Sequence, residues 1–90
     1  MADYYEAWEV RTPFTDAETF SEAKRRMQHH ADLMDVTVRW RKSKGQRGYN
    51  KRFHFWELNS EADAAVFTIA CGDKVSKKTY RNKDEYLGIE

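Results

Sequence analysis

Ser60-Glu61-Ala62-Asp63-Ala64-Ala65-Val66-Phe67-Thr68-Ile69-Ala70-Cys71 supports two incompatible secondary structures. As a strand, Phe67, Ile69 and Cys71 alternate with Val66, Thr68 and Ala70. The core Val66-Phe67-Thr68-Ile69 is β-branched or aromatic throughout, which favours a pleated surface. As a helix, Ser60 and Asp63 form a capping pair, and Ala62, Ala65, Val66 and Ile69 fall on one stripe. The β-rich core favours the strand, with Asn59 to Asp63 as the turn before it and Gly72-Asp73 as its end. That choice makes the second half of the chain all-β.

The stretch just before it alternates as well. Val36, Val38 and Trp40 alternate with Thr37, Arg39 and Arg41. Phe53 and Phe55 alternate with Arg52, His54 and Trp56. Both read as strands. Ser43 to Asn50, with Gly45 and Gly48, reads as the loop between them. Towards the N-terminus, Tyr4 to Arg11 is a first strand that Pro13 ends, because proline has no ladder donor. Thr15-Asp16-Ala17-Glu18 is a capping box. Ala17, Phe20, Ala23, Met27, Ala31 and Met34 then recur at spacings of three and four, predicting a helix over about 16–33. Val75 to Arg81 is a candidate edge strand. Asn82 with Glu85 caps a last short turn carrying Tyr86, Leu87 and Ile89.

The expected fold class is α+β. An antiparallel sheet of four to five strands, joined as a meander, carries one main helix (about 16–33) on one face. Ninety residues suit a single domain over 1–90. A chain this short buries only about 60–65% of its unfolded surface. Its thirteen Phe, Trp and Tyr side chains supply large areas for that burial.

Composition narrows the function classes. Cys71 is the single cysteine, so no internal disulfide forms, and a small secreted domain would carry several. The N-terminal residues lack a basic start and an apolar core, unlike a signal peptide. The uncharged run Ala64 to Gly72 is far shorter than the roughly 20 residues of a membrane span. The cytoplasm is therefore the expected location, with no membrane contact. No cofactor motif is present. His29 and His30 are adjacent and diverge on a helix, so they do not chelate one ion, and no metal or catalytic site is expected. Cys71 reads as a small core residue rather than a nucleophile.

Charge is unevenly placed. Residues 36–56 hold seven of the sixteen Lys and Arg and none of the fifteen acids, leaving nine bases against fifteen acids elsewhere. If the helix covers the face with Val36, Val38, Trp40, Phe53 and Phe55, then Arg39, Arg41, Arg52, His54 and Trp56 share the other. Cations interleaved with exposed rings suit nucleic acid, which needs phosphate neutralisation and base stacking. Arg39, Arg41, Lys42, Lys44, Arg47, Lys51 and Arg52 would meet phosphates, and Tyr49 and Trp56 would stack. The expected function is a non-enzymatic module binding RNA or single-stranded DNA through the 39–56 hairpin. The same patch also fits a phage- or mobile-element-type accessory inhibitor that binds a host protein or defence complex, or, with Trp56 and Leu58 on one face, a homodimer contact; a basic hairpin also serves simply as a solvated guard of a sheet edge.

Two family likenesses bear on this. Ser76-Lys77-Lys78 resembles the Ser-Lys-Lys start of the last helix in double-stranded RNA-binding domains. Thr79-Tyr80-Arg81-Asn82 departs from the Ala-rich helix that follows there. The strand–helix–strands order is similar to that of small ribonuclease toxins, which usually place two helices after the first strand. That resemblance would assign His54, Arg52 and Tyr80 as base, phosphate clamp and acid.

Overall fold

A computed structural model describes residues 4–15, 17–41 and 53–82. The chain runs β1 (Tyr5–Pro13), α1 (Phe20–Met34), β2 (Arg39–Arg41), β3 (Phe53–Leu58), α2 (Glu61–Cys71) and β4 (Lys74–Tyr80). The four strands lie in the order β2-β3-β1-β4, with every neighbouring pair antiparallel. This is α+β, as expected, in the split βαβ arrangement of the ferredoxin-like fold. The connectivity is not a meander. The crossover through α2 returns β4 to the far side of β1, so β2 and β4 form the two edges.

The 60–71 stretch is a helix, not a strand. Ser60 Oγ accepts the Asp63 amide at 3.3 Å, and Thr68 Oγ1 donates to the Ala64 carbonyl at 2.7 Å. Burial explains the outcome. Ala64 and Phe67 are fully buried, and Cys71 is half-buried behind them, a spacing of three and four. A strand would have put Ile69 on the same side as Phe67. In the helix Ile69 is 87% exposed and Val66 46%. The buried stripe is also the opposite one to the Ala62-Ala65-Val66-Ile69 stripe that the sequence suggests. Packing one phenylalanine into the core outweighs the weak β preference of its neighbours.

Helix α1 begins later than its pattern predicts. The capping box is Thr19 with Glu22: Thr19 Oγ1 accepts the Glu22 amide at 3.2 Å, and Glu22 accepts the Thr19 amide at 2.9 Å. Thr15 and Glu18 form a separate turn, through Ala17 at φ 67°. Arg26 reaches back from α1 to Glu18 at 2.7 Å and to the Pro13 carbonyl at 3.2 Å. Ala23, Met27 and Ala31 are buried, as their spacing requires. Asp35 ends the helix in the left-handed conformation at φ 56°.

Both helices pack on one side of the sheet. The core there joins Val10, Trp56 and Leu58 to Ala23, Met27, Ala31, Ala64 and Phe67. Trp40 pairs with Trp56, so it shares this side. Phe53 and Phe55 therefore point the other way, with Arg39 and Arg41. This reverses the expected sides of β3. Burying Trp56 and Leu58 together removes more apolar area from water than burying two phenylalanines. No helix among the described residues is long and apolar enough to cross a bilayer.

Candidate functional site

Among the described residues nothing packs on the second face of the sheet, and its side chains fall in transverse rows. The register aligns Arg41, Phe55, Arg11 and Lys74 across β2, β3, β1 and β4. One ring thus lies between two guanidinium groups, with an ammonium beyond. The next row is Arg39, Glu57, Glu9 and Ser76. It carries acids at its centre, so the face changes sign within one step of the pleat.

In the first row, Arg11 donates from Nε to Asp73 Oδ1 at 2.8 Å and from Nη2 to Oδ2 at 2.9 Å. Its guanidinium carbon lies 4.5 Å from the centre of the Phe53 ring. The hydrogen bonds to Asp73 push the Arg11 pKa up. The pair stays over one-third exposed on each side, so its contribution to stability is small.

The second row gathers around Glu57. Glu57 is 1% exposed and accepts the Tyr80 hydroxyl. Arg41 Nε lies 3.4 Å from Glu57, and Arg39 Nη2 lies 3.8 Å away. Arg39 also donates to Asn59 Oδ1 at 2.6 Å. Burial, and then the bond to Glu57, raise the Tyr80 pKa, so the hydroxyl stays protonated and donates. This network ties β2 to β4 across the width of the sheet. Lys78 lies 3.8 Å from Glu9 at its margin.

Of the residues assigned from sequence, Arg39 and Arg41 stand on this face. Trp56 does not. It is 1% exposed, donates to Thr12 Oγ1 at 3.1 Å and meets the Phe67 ring edge-on at 6.1 Å. No base can reach it. Lys42, Lys44, Arg47, Tyr49, Lys51 and Arg52 lie outside the described residues. Phe53 and Phe55 were expected beneath the helix and Arg11 was not singled out, because the side of each depends on the Trp40–Trp56 register.

His54 and Tyr80, two of the three residues of the ribonuclease-like set, do not come together. His54 is 2% exposed beneath α1, whereas Tyr80 is on the open face. Trp40 Nε1 donates to His54 Nδ1 at 3.0 Å, so the proton sits on Nε2 and goes to the Phe20 carbonyl, also at 3.0 Å. Burial lowers the His54 pKa. Ser76-Lys77-Lys78 is part of β4, which removes its likeness to a helix start. The Cys71 thiol is pushed up to about 11 by burial, so it is protonated at neutral pH. Among the described residues no cluster of His, Cys, Asp or Glu could hold a metal ion.

No protein-family model matches the chain, and no curated protein matches its sequence. Among solved structures it is similar to a hypothetical protein from Arabidopsis thaliana determined in solution. The identity is 13%, 86% of each chain is covered and the TM-score is 0.38.

Proposed function

We propose that the chain is a cytoplasmic, non-enzymatic module that binds RNA or single-stranded DNA on the open face of its sheet. The observation that carries this reading is the row Arg41-Phe55-Arg11-Lys74, a half-buried ring between cations on a face that no described element covers. Unpaired bases stack on such rings, and cations on the same face neutralise the phosphates between them.

Titration of fluorescent single-stranded RNA at two salt concentrations tests the proposal. Micromolar binding is expected, with a log K against log salt slope steeper than about −2, which corresponds to three or more neutralised phosphates. Phe55→Ala should weaken it about tenfold, within the range for one lost stack. No binding at about 50 mM salt would overturn the proposal.

A second reading has its own observation. Ile69 and Val66 on α2 and Leu33 on α1, at 70%, are exposed apolar side chains. They favour contact with a protein, as an inhibitor of a host complex would make. A partner captured from lysate that survives nuclease, and that Ile69→Glu releases, would support it.

A further inference from the structure

We infer that Arg11, clamped by Asp73 over Phe53, is a stacking platform for an unpaired nucleobase rather than a phosphate contact. The inference rests on the reading of the open face as a nucleic-acid surface, and it assigns base and phosphate to different cations there.

The clamp is built from the backbone outwards. The Asp73 amide donates to the Arg11 carbonyl at 2.8 Å, so the residue that holds the guanidinium is pinned to the residue it holds. Gly72 allows the approach. A Cβ there would lie 2.5 Å from Val10 Cγ1, 3.0 Å from Thr68 Cα and 3.2 Å from the Arg11 carbonyl oxygen. Only a residue without a side chain lets the end of α2 settle this closely on β1 and deliver Asp73 beside Arg11.

The fork then fixes the guanidinium as a plane. Two parallel N–H bonds to one carboxylate leave it no rotation, and Phe53 supports it from beneath at 4.5 Å. Asp73 also matches its charge, so an incoming phosphate would meet a carboxylate at hydrogen-bond distance from the same group. A planar, uncharged base meets no such repulsion, and Arg planes stack on bases. Phe55, directly opposite Arg11, offers a second ring on the same face. Lys74, next in the row and exposed, is left for the phosphate.

The test compares two fluorescent ten-nucleotide strands: oligoadenylate RNA, and an abasic strand of equal phosphate count. Arg11→Lys keeps the charge and removes the plane and the fork. It should weaken oligoadenylate binding about five- to a hundredfold, leave the salt slope unchanged and leave the abasic strand unaffected. Phe53→Leu should act in the same direction. An equal loss on both strands, or a slope shallower by about 0.7, would make Arg11 a phosphate contact and overturn the inference. Unchanged binding by both variants would overturn it while leaving the open face as the binding surface. Failure of the wild-type protein to bind either strand would overturn both.

Discussion

On the helix side of β3, every polar group ends on a partner inside the protein. His54 lies between Trp40 and Phe20, and Trp56 donates to Thr12, whose hydroxyl reaches the His54 carbonyl at 3.0 Å. Four rings surround His54, with centroids between 4.4 and 6.3 Å. On the other side, Phe53 and Phe55 are half-buried among cations, and buried Glu57 gathers Tyr80, Arg41 and Arg39 around it. The same six residues thus build a sealed core on one side and a cation-flanked aromatic surface on the other. Aromatic content does not mark which face of a strand is functional. What distinguishes them is whether the polar partners are consumed internally, because a satisfied buried group has nothing left to offer a ligand.

The largest effect should come from breaking the sealed side. Trp56→Ala should cost about 3–5 kcal/mol in urea unfolding, as a large buried aromatic does. Phe55→Ala should cost far less and act mainly on binding. Equal losses of stability would remove the distinction between the faces.

Arg41→Glu comes next. It replaces the cation 3.4 Å from the buried Glu57 with a second carboxylate. A drop of about 3 kcal/mol is expected, the scale of a broken buried pair. Glu57→Gln in the same chain should recover part of it. A neutral effect would show that the Glu57 network holds nothing together.

The pH dependence sharpens the comparison further. His54 has a folded pKa below its ordinary 6.5, so the unfolded chain binds the proton more readily. Its contribution to stability is complete above about pH 6.5 and is lost as pH falls towards the folded value. Protonation of Nδ1 would also set two donors against each other at Trp40. His54→Phe should flatten the stability profile between about pH 7 and 5. Glu18, held down to about 2 chiefly by Arg26, acts in a separate window. Its contribution is present above its ordinary 4.5 and disappears as pH falls from there to about 2. The ion pair of Lys77 on β4 with Glu6 on β1 is solvent-exposed and should matter least, with no coupling resolved by a double-mutant cycle.

The α+β class, β1, β3, β4 and the Ala23-Met27-Ala31 stripe were all legible from period and spacing alone. The helix start was not. Thr15-x-x-Glu18 and Thr19-x-x-Glu22 are the same motif four residues apart, and the left-handed Ala17 makes the second one the cap. The side of β3 was hidden because alternation fixes which residues share a face, never which face is covered. That choice follows from the long-range Trp40–Trp56 pairing. Helix α2 was misread because Val66 and Ile69 are not needed in the core. Their β preference points to a strand, while Ala64 and Phe67 alone decide the packing. Of the candidate site, Arg39 and Arg41 were read directly, and Arg11, Phe53 and Phe55 take their place on this face only once the sheet is assembled.

All three tryptophans, Trp8, Trp40 and Trp56, point to the helix side of the sheet. One titration therefore tests the central claim. Labelled single-stranded RNA is added at about 50 mM salt, and strand anisotropy is followed together with tryptophan emission. Binding at the open face predicts that anisotropy rises while tryptophan emission stays nearly constant. Quenching of the tryptophans in step with binding would place the bases against the helix side, and an unchanged anisotropy would remove the nucleic acid altogether; either result contradicts the account.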